Sequence, residues 1–236
     1  MAASPDSSKS KKSGGGCLGK LAVLVILLGG LGIGTAVFFI AQPQDLTDIG
    51  GNSPAVRAVP VRDLKVVLQN SLDRGYQVTL TETEINQWIG RNLKTKQGGL
   101  LGSQVSLDRV WVRLDDGVAE IVTVRSFMGR PFTISMFLKI EQFQGARSVQ
   151  TAAHLHGGPY HPQIPLPKRG GRFGRLVVPQ GFLILVLPAF EKLSKAFHEE
   201  IDLGINRMAR VRIEKNRLVL DPNEPGGDAS GLPQSF

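Results

Sequence analysis

Three histidines, His154, His156 and His161, stand in the segment HLHGGPYH, and four cations, Lys168, Arg169, Arg172 and Arg175, come after them in KRGGRFGR. Two histidines two apart on a strand share a face, and a third arriving from a turn would complete three nitrogen ligands for zinc. No carboxylate or cysteine lies near them, so histidines alternating on a solvated strand are the plainer reading and no metal or other cofactor is expected. The four cations, with Phe173 among them, read as a flexible basic loop able to sit on anionic lipid head groups. Each such charge contributes about 1 kcal/mol near an anionic surface. Glu84 is accounted for by helix capping, and Asp115 and Asp116 by a turn. No Ser-His-Asp set, glycine-rich phosphate loop or paired acid and base is legible, so no catalytic residue is expected. Gly98-Gly99 and Gly170-Gly171 read as loop punctuation.

The elements that position these residues can be placed by periodicity. Val61 to Leu72 carries apolar residues at helical spacing, and Gly75 stops it. Gln77 to Leu80 is a short strand. Thr81 and Glu84 have capping-box spacing, and Ile85, Trp88, Ile89 and Leu93 form one apolar stripe behind them. Lys94 to Gln104 reads as a loop. The period then changes to two: Val105 to Leu114 is a strand with a shift of phase that marks a bulge, and Asp115-Asp116-Gly117 is a hairpin turn. Val118 to Phe127, Pro131 to Phe143 and Ser148 to His156 are three more strands, with no room between them for helical crossovers, so the sheet is antiparallel. Residues 157–174 are a Gly/Pro-rich excursion. Gly181 to Ile201 is an apolar helical stretch in which Pro188 starts a new helix or kinks the old one. Its first part, Phe182 to Leu187, is apolar on every face and so is either buried or in contact with lipid. Val211 to Leu220 closes the domain as a hairpin around Lys215-Asn216.

Ahead of all this lie 21 uncharged residues, Leu21 to Ala41. At about 1.5 Å per residue they reach about 31 Å, the thickness of a bilayer's hydrocarbon core. Lys9, Lys11, Lys12 and Lys20 precede them, Asp45 and Asp48 come just after, and the first basic residue beyond the run is Arg57. That asymmetry keeps the head in the cytoplasm and exports residues 42–236. A cleaved signal peptide would have an apolar region of about 7–15 residues and a small-x-small site. Here the run is longer, and a cut after Ala41 would put Phe39 where a small residue is needed, so an uncleaved anchor is expected. Gly30 and Gly34 make a GxxxG pair, the signature of a helix homodimer. The single cysteine, Cys17, lies in the head, so the exported part has no internal disulfide and must rely on a packed core.

The domain plan is therefore a disordered cytoplasmic head over 1–20, a transmembrane helix over 21–41 and a tether over 42–58. One exported α+β domain occupies 59–221, with a curved antiparallel sheet packed on two or three helices, and a disordered tail ends the chain over 222–236. The whole chain has 28 basic and 20 acidic side chains. Removing the head's four lysines and one aspartate leaves 24 and 19, a net charge of +5 for the remainder. That balance favours anionic lipid or acidic polymers, and outside a membrane it argues against nucleic acid.

An anchor, a helix start of the form Leu-Thr-x-x-Glu-x-Asn (Leu80, Thr81, Glu84, Asn86), long antiparallel strands, Gly174-x-x-x-x-Pro179 before an apolar helix, and a closing strand pair occur in that order. Together they resemble bacterial membrane-anchored exported domains of the YpmS-like kind and, more loosely, the TULIP (BPI-like) tubular lipid-binding superfamily. The resemblance implies a curved sheet wrapping a long helix around an apolar groove for acyl chains in a single-pass protein of the bacterial cytoplasmic membrane. Pro188, within that helix, and the Gly/Pro-rich excursion depart from the pattern.

The function expected is non-catalytic binding of a lipid or other apolar ligand. The groove would be lined by Ile85, Trp88 and Ile89 from one helix and by Phe182, Leu183, Val186, Phe190 and Phe197 from the other. Membrane lipid and envelope proteins are the expected partners. A scaffold in an envelope assembly is the alternative, and a metal-dependent hydrolase would rest on the three histidines alone.

Overall fold

A computed structural model describes residues 17–49, 62–100, 107–127, 130–144, 149–155 and 169–223. The head up to residue 16, residues 50–61, the excursion 156–168 and the tail from 224 lie outside the described residues. The chain divides into two units between Phe39 and Ile40.

The first unit is the body of helix α1, Cys17–Ala41. Its stretch Gly19–Ala41 is long and apolar enough to cross a membrane, as 21–41 is in the sequence. Thr35 donates its hydroxyl proton to the Leu31 carbonyl at 2.8 Å, which satisfies the only side-chain hydroxyl in the apolar run.

The second unit is α+β. Helix α2, Leu64–Arg74, begins where Asp63 accepts from the amides of Lys65 and Val66, and ends where Gly75 turns left-handed at φ 66°. Its inward face, Leu64, Leu68 and Ser71, has the 3.6-residue period that the sequence carries. Strand β1, Val78–Thr81, leads directly into α3, Glu82–Leu100. The capping box forms as its spacing predicts: Glu84 donates its amide to the Thr81 hydroxyl at 3.2 Å, and the Glu84 carboxylate accepts from the Thr81 amide at 2.9 Å. Helix α3 runs on through Gly98-Gly99, where the sequence pattern suggested a loop from Lys94. Lysine and glutamine are strong helix formers, and two glycines cost only about 1 kcal/mol each against alanine.

Strands β2 (Leu107–Asp115), β3 (Val118–Phe127) and β4 (Arg130–Gln144) form an antiparallel meander. The expected bulge falls between Leu107 and Arg109, and Gly117, at φ 74°, makes the turn after Asp115-Asp116. The long strand β4 divides its far edge between two partners. Ile134 to Met136 pair with β6 (Arg169–Phe173), and Leu138 to Gln144 pair with β5 (Val149–Leu155). Strand β7, Leu176–Pro179, completes a curved six-stranded sheet.

Residues 169–173 were expected in a flexible loop and are a strand. Gly170 and Gly171 do not punctuate it; they allow contact. A Cβ on Gly171 would come within 2.0 Å of the Ser135 carbonyl oxygen, so only glycine lets β6 lie this close to β4.

After β7 a 3₁₀ turn, Gln180–Leu185, precedes α4, Leu187–Ala196, with Pro188 in its first turn. The short helix α5 (His198–Ile201) and a π-helical turn, Asp202–Asn206, come next. Strands β8 (Arg210–Glu214) and β9 (Arg217–Asp221) then form a three-stranded sheet with β1, in the order β1-β9-β8. Gln142 joins the two sheets: its carbonyl oxygen accepts from the Val211 amide at 2.9 Å, and its Nε2 donates to the Ala209 carbonyl at 3.2 Å.

The segment expected to begin a tether is partly docked. The Gln44 amide donates to Thr133 Oγ1 at 3.0 Å, its Nε2 donates to Ser135 Oγ at 3.2 Å, and Gln44 and Ile49 are both buried.

Candidate functional site

Strand alternation gives the large sheet two unlike faces. On one, Val110, Val112 and Leu114 of β2, Ala119 and Ile121 of β3, and Met136, Leu138 and Ile140 of β4 recur with period two. Opposite them stand Ile85, Trp88 and Ile89, spaced i, i+3, i+4 on α3, with Phe190, Leu193 and Phe197 from the α4 region. Between these layers is a partly open cavity of ≈ 290 Å³ whose wall is almost wholly apolar, Ser194 and Glu200 being the polar side chains on it. Trp88 and Phe197 meet within that wall at 5.8 Å between ring centroids. An apolar cavity of this kind offers water almost no hydrogen-bond partners, and its size is at the lower end of ligand pockets.

Of the eight residues expected to line a groove, the structure brings together Ile85, Trp88, Ile89, Phe190 and Phe197. Leu183 and Val186 lie in an adjoining cluster with Met136, Val178 and Phe190. Phe182 is on the surface, 57 % exposed. The reason is the local helix type. A 3₁₀ turn repeats every three residues, so Leu183 and Val186 share the inward side and Phe182 and Leu185 the outward one. The liners missed in the sequence include helical residues such as Leu64, Leu68, Leu193 and Ile205, and the strand residues, which their alternation marked as one face without saying what it met.

The other face of the sheet carries a polar network beside buried Val122 and Phe137. Arg113 Nη1 donates to Glu120 Oε2 at 2.6 Å, and its Nε and Nη2 donate to the Asp48 carboxylate at 2.8 and 2.9 Å. Ser135 donates to Glu120 Oε1 at 2.5 Å. Glu120 is only 3 % exposed. Burial works against the Arg113 charge, but Asp48 and Glu120 outweigh it and hold its pKa above the ordinary arginine value.

The expected basic cluster is not one patch. Lys168 lies outside the described residues, and Arg169 opens strand β6. Arg172 is half-buried, with its Nε 3.5 Å from Glu120 and its guanidinium 5.5 Å from the Phe137 ring centroid. Arg175 is exposed at the β6–β7 turn. His154 falls in β5, opposite Lys139, while His156 and His161 lie outside the described residues. Among the described residues no group of three His, Cys, Asp or Glu side chains is placed to hold a metal.

The chain matches no known protein family, no curated protein and no solved structure.

Proposed function

We propose that the chain is a single-pass membrane protein whose folded domain holds an apolar ligand, the acyl portion of a lipid, between its large sheet and helices α3 and α4. The observation that carries this reading is the ≈ 290 Å³ cavity with its almost wholly apolar wall, in a chain that also has a membrane-length helix. Each buried CH₂ would contribute about 0.8 kcal/mol to binding, so a short length of acyl chain suffices for useful affinity. The lysines of the head support a cytoplasmic head and an exported domain. The resemblance to tubular lipid-binding domains points the same way. Binding is non-catalytic in this reading.

Lipid extraction from the purified full chain tests it, with the double substitution Ile205→Phe and Ala119→Leu as reference, since both positions line the cavity. Lipid around α1 is common to both proteins, so the wild-type chain should carry additional lipid that the filled variant lacks. Equal lipid in the two would overturn the reading.

A further inference from the structure

The 3₁₀ turn after β7 is built inside out. Leu183 is buried to 1 % exposure, while its neighbours Phe182, Ile184 and Leu185 are 57 %, 72 % and 77 % exposed. Three large apolar side chains side by side on one short turn form a surface that water disfavours. Leu183 fixes the turn: it packs with Met136 of β4, and Gly170 and Gly171 have no side chains that would displace it.

The other side of the same stretch of β4 holds the chain that comes from α1. Gln44 is bound to Thr133 and Ser135, and Ala41, the last residue of α1, is three residues before it. Three residues span at most about 11 Å. The chain thus leaves its membrane-length helix and is fixed almost at once to Ser135, next in sequence to the Met136 against which the apolar turn is anchored. The exposed apolar turn fits the bilayer that α1 would cross, to which this short link tethers the domain.

We propose that Phe182, Ile184 and Leu185 insert into the surface of that bilayer and form a second membrane contact of the domain. This rests on α1 being membrane-anchored and is independent of whether the cavity carries lipid. The turn then holds one face of the domain at the lipid, close to Phe190, which belongs both to the Leu183 cluster and to the cavity wall.

The test uses the full chain with Cys17→Ser and one new cysteine at a time, Ile184→Cys, Leu185→Cys or Lys215→Cys, each labelled with an environment-sensitive fluorophore. Lys215 is exposed in the β8–β9 turn and serves as the reference. The proteins are reconstituted in phosphatidylcholine vesicles with plain or brominated acyl chains. The labels at 184 and 185 should emit to the blue and lose emission in brominated vesicles, while that at 215 does neither. Labels at 184 and 185 that are quenched no more than that at 215 overturn insertion, and a blue shift without quenching assigns the turn to a second copy of the chain instead. Alkaline extraction of the same vesicles separates the two premises: a released chain overturns the anchoring, and a retained chain with unquenched labels overturns the insertion alone.

Discussion

Asn86 and Val112 exchange two hydrogen bonds, the Asn86 Nδ2 donating to the Val112 carbonyl at 2.8 Å and the Val112 amide donating to Asn86 Oδ1 at 2.6 Å. Four residues earlier on the same helix face, Glu82 Oε2 accepts from the Leu114 amide at 2.7 Å. Strand β2 is the last in its sheet, and side chains of α3 thus take the place of a neighbouring strand along its edge. The same bonds set the distance between α3 and the sheet, and so the position of Ile85, Trp88 and Ile89 in the cavity wall.

Replacing Asn86, which is 2 % exposed, by leucine leaves a buried amide and carbonyl of Val112 without partners. The expected loss is about 2–4 kcal/mol of stability. Asn92→Leu is the control, because among the described residues the Asn92 side chain bonds only within its own helix, to the Trp88 carbonyl, and should cost about 1 kcal/mol or less. Denaturant midpoints of the detergent-solubilised chain compare the two, and equal costs would contradict the edge-closing role.

Arg113→Met takes from buried Glu120 its closest cationic partner, leaving it Ser135 and the more distant Arg172, and should cost about 1.5–3 kcal/mol. Removing both partners, with Arg113→Met and Glu120→Met together, should cost much less than the two single changes added. A double-mutant cycle measures that coupling, and simple additivity would mean the pair is not a unit.

Gly171→Ala drives a Cβ into the Ser135 carbonyl and should cost about 1–3 kcal/mol or more. At Gly204 an added Cβ would meet Leu68 Cδ1 at an ordinary 3.5 Å, so Gly204→Ala should be neutral or slightly stabilising. Thermal midpoints should move in step, by about 2–4 °C per kcal/mol for a domain of this size.

Acid should act in opposite senses on Glu82 and Glu84. Burial raises the Glu82 carboxyl above the ordinary glutamate value of 4.5, helped by Asp48 and opposed by the Leu114 amide and Arg113. Burial raises Glu84 as well, but the Thr81 amide and hydroxyl and Arg62 outweigh it and hold that carboxyl below 4.5. Folded Glu82 binds its proton more tightly than unfolded Glu82, so the fold gains stability as pH falls through the raised value toward 4.5. Folded Glu84 binds its proton less tightly, so its contribution is present above 4.5 and is lost as pH falls through the depressed value. Glu82→Gln should therefore stabilise the protein at pH 7, with the advantage shrinking on acidification, whereas Glu84→Gln should destabilise it at pH 7 and soften its acid unfolding. Urea midpoints across pH check both, and parallel profiles would contradict them.

Local chemistry made much of the fold legible. Thr81 with Glu84, Gly75, Asp115 to Gly117, and Pro188 each specify a boundary through their own hydrogen bonds or dihedrals, and each boundary falls where those residues put it; the start of α2, expected at Val61, instead falls at Leu64 behind the Asp63 cap. What was illegible depends on partners distant in sequence. Gly170-Gly171 resemble loop glycines until Ser135 is seen against them. Gln44 resembles tether until Thr133 and Ser135 receive it. The cavity was half-legible: the stripe Ile85, Trp88, Ile89 and the alternation of β2 were both visible, but only their meeting encloses space. Phe182 was misplaced because apolar character alone does not distinguish a 3₁₀ turn from an α-helix.

The chain has two tryptophans, and Trp88 is the one in the cavity wall. With Trp111→Phe, fluorescence of the full chain reports on Trp88 alone. Titration with a dibrominated fatty acid in nanodiscs of unbrominated lipid should quench that emission saturably, and the added changes Ile205→Phe and Ala119→Leu should abolish the saturable part. Quenching that rises without saturation, and equally in the filled protein, would contradict an acyl-binding cavity.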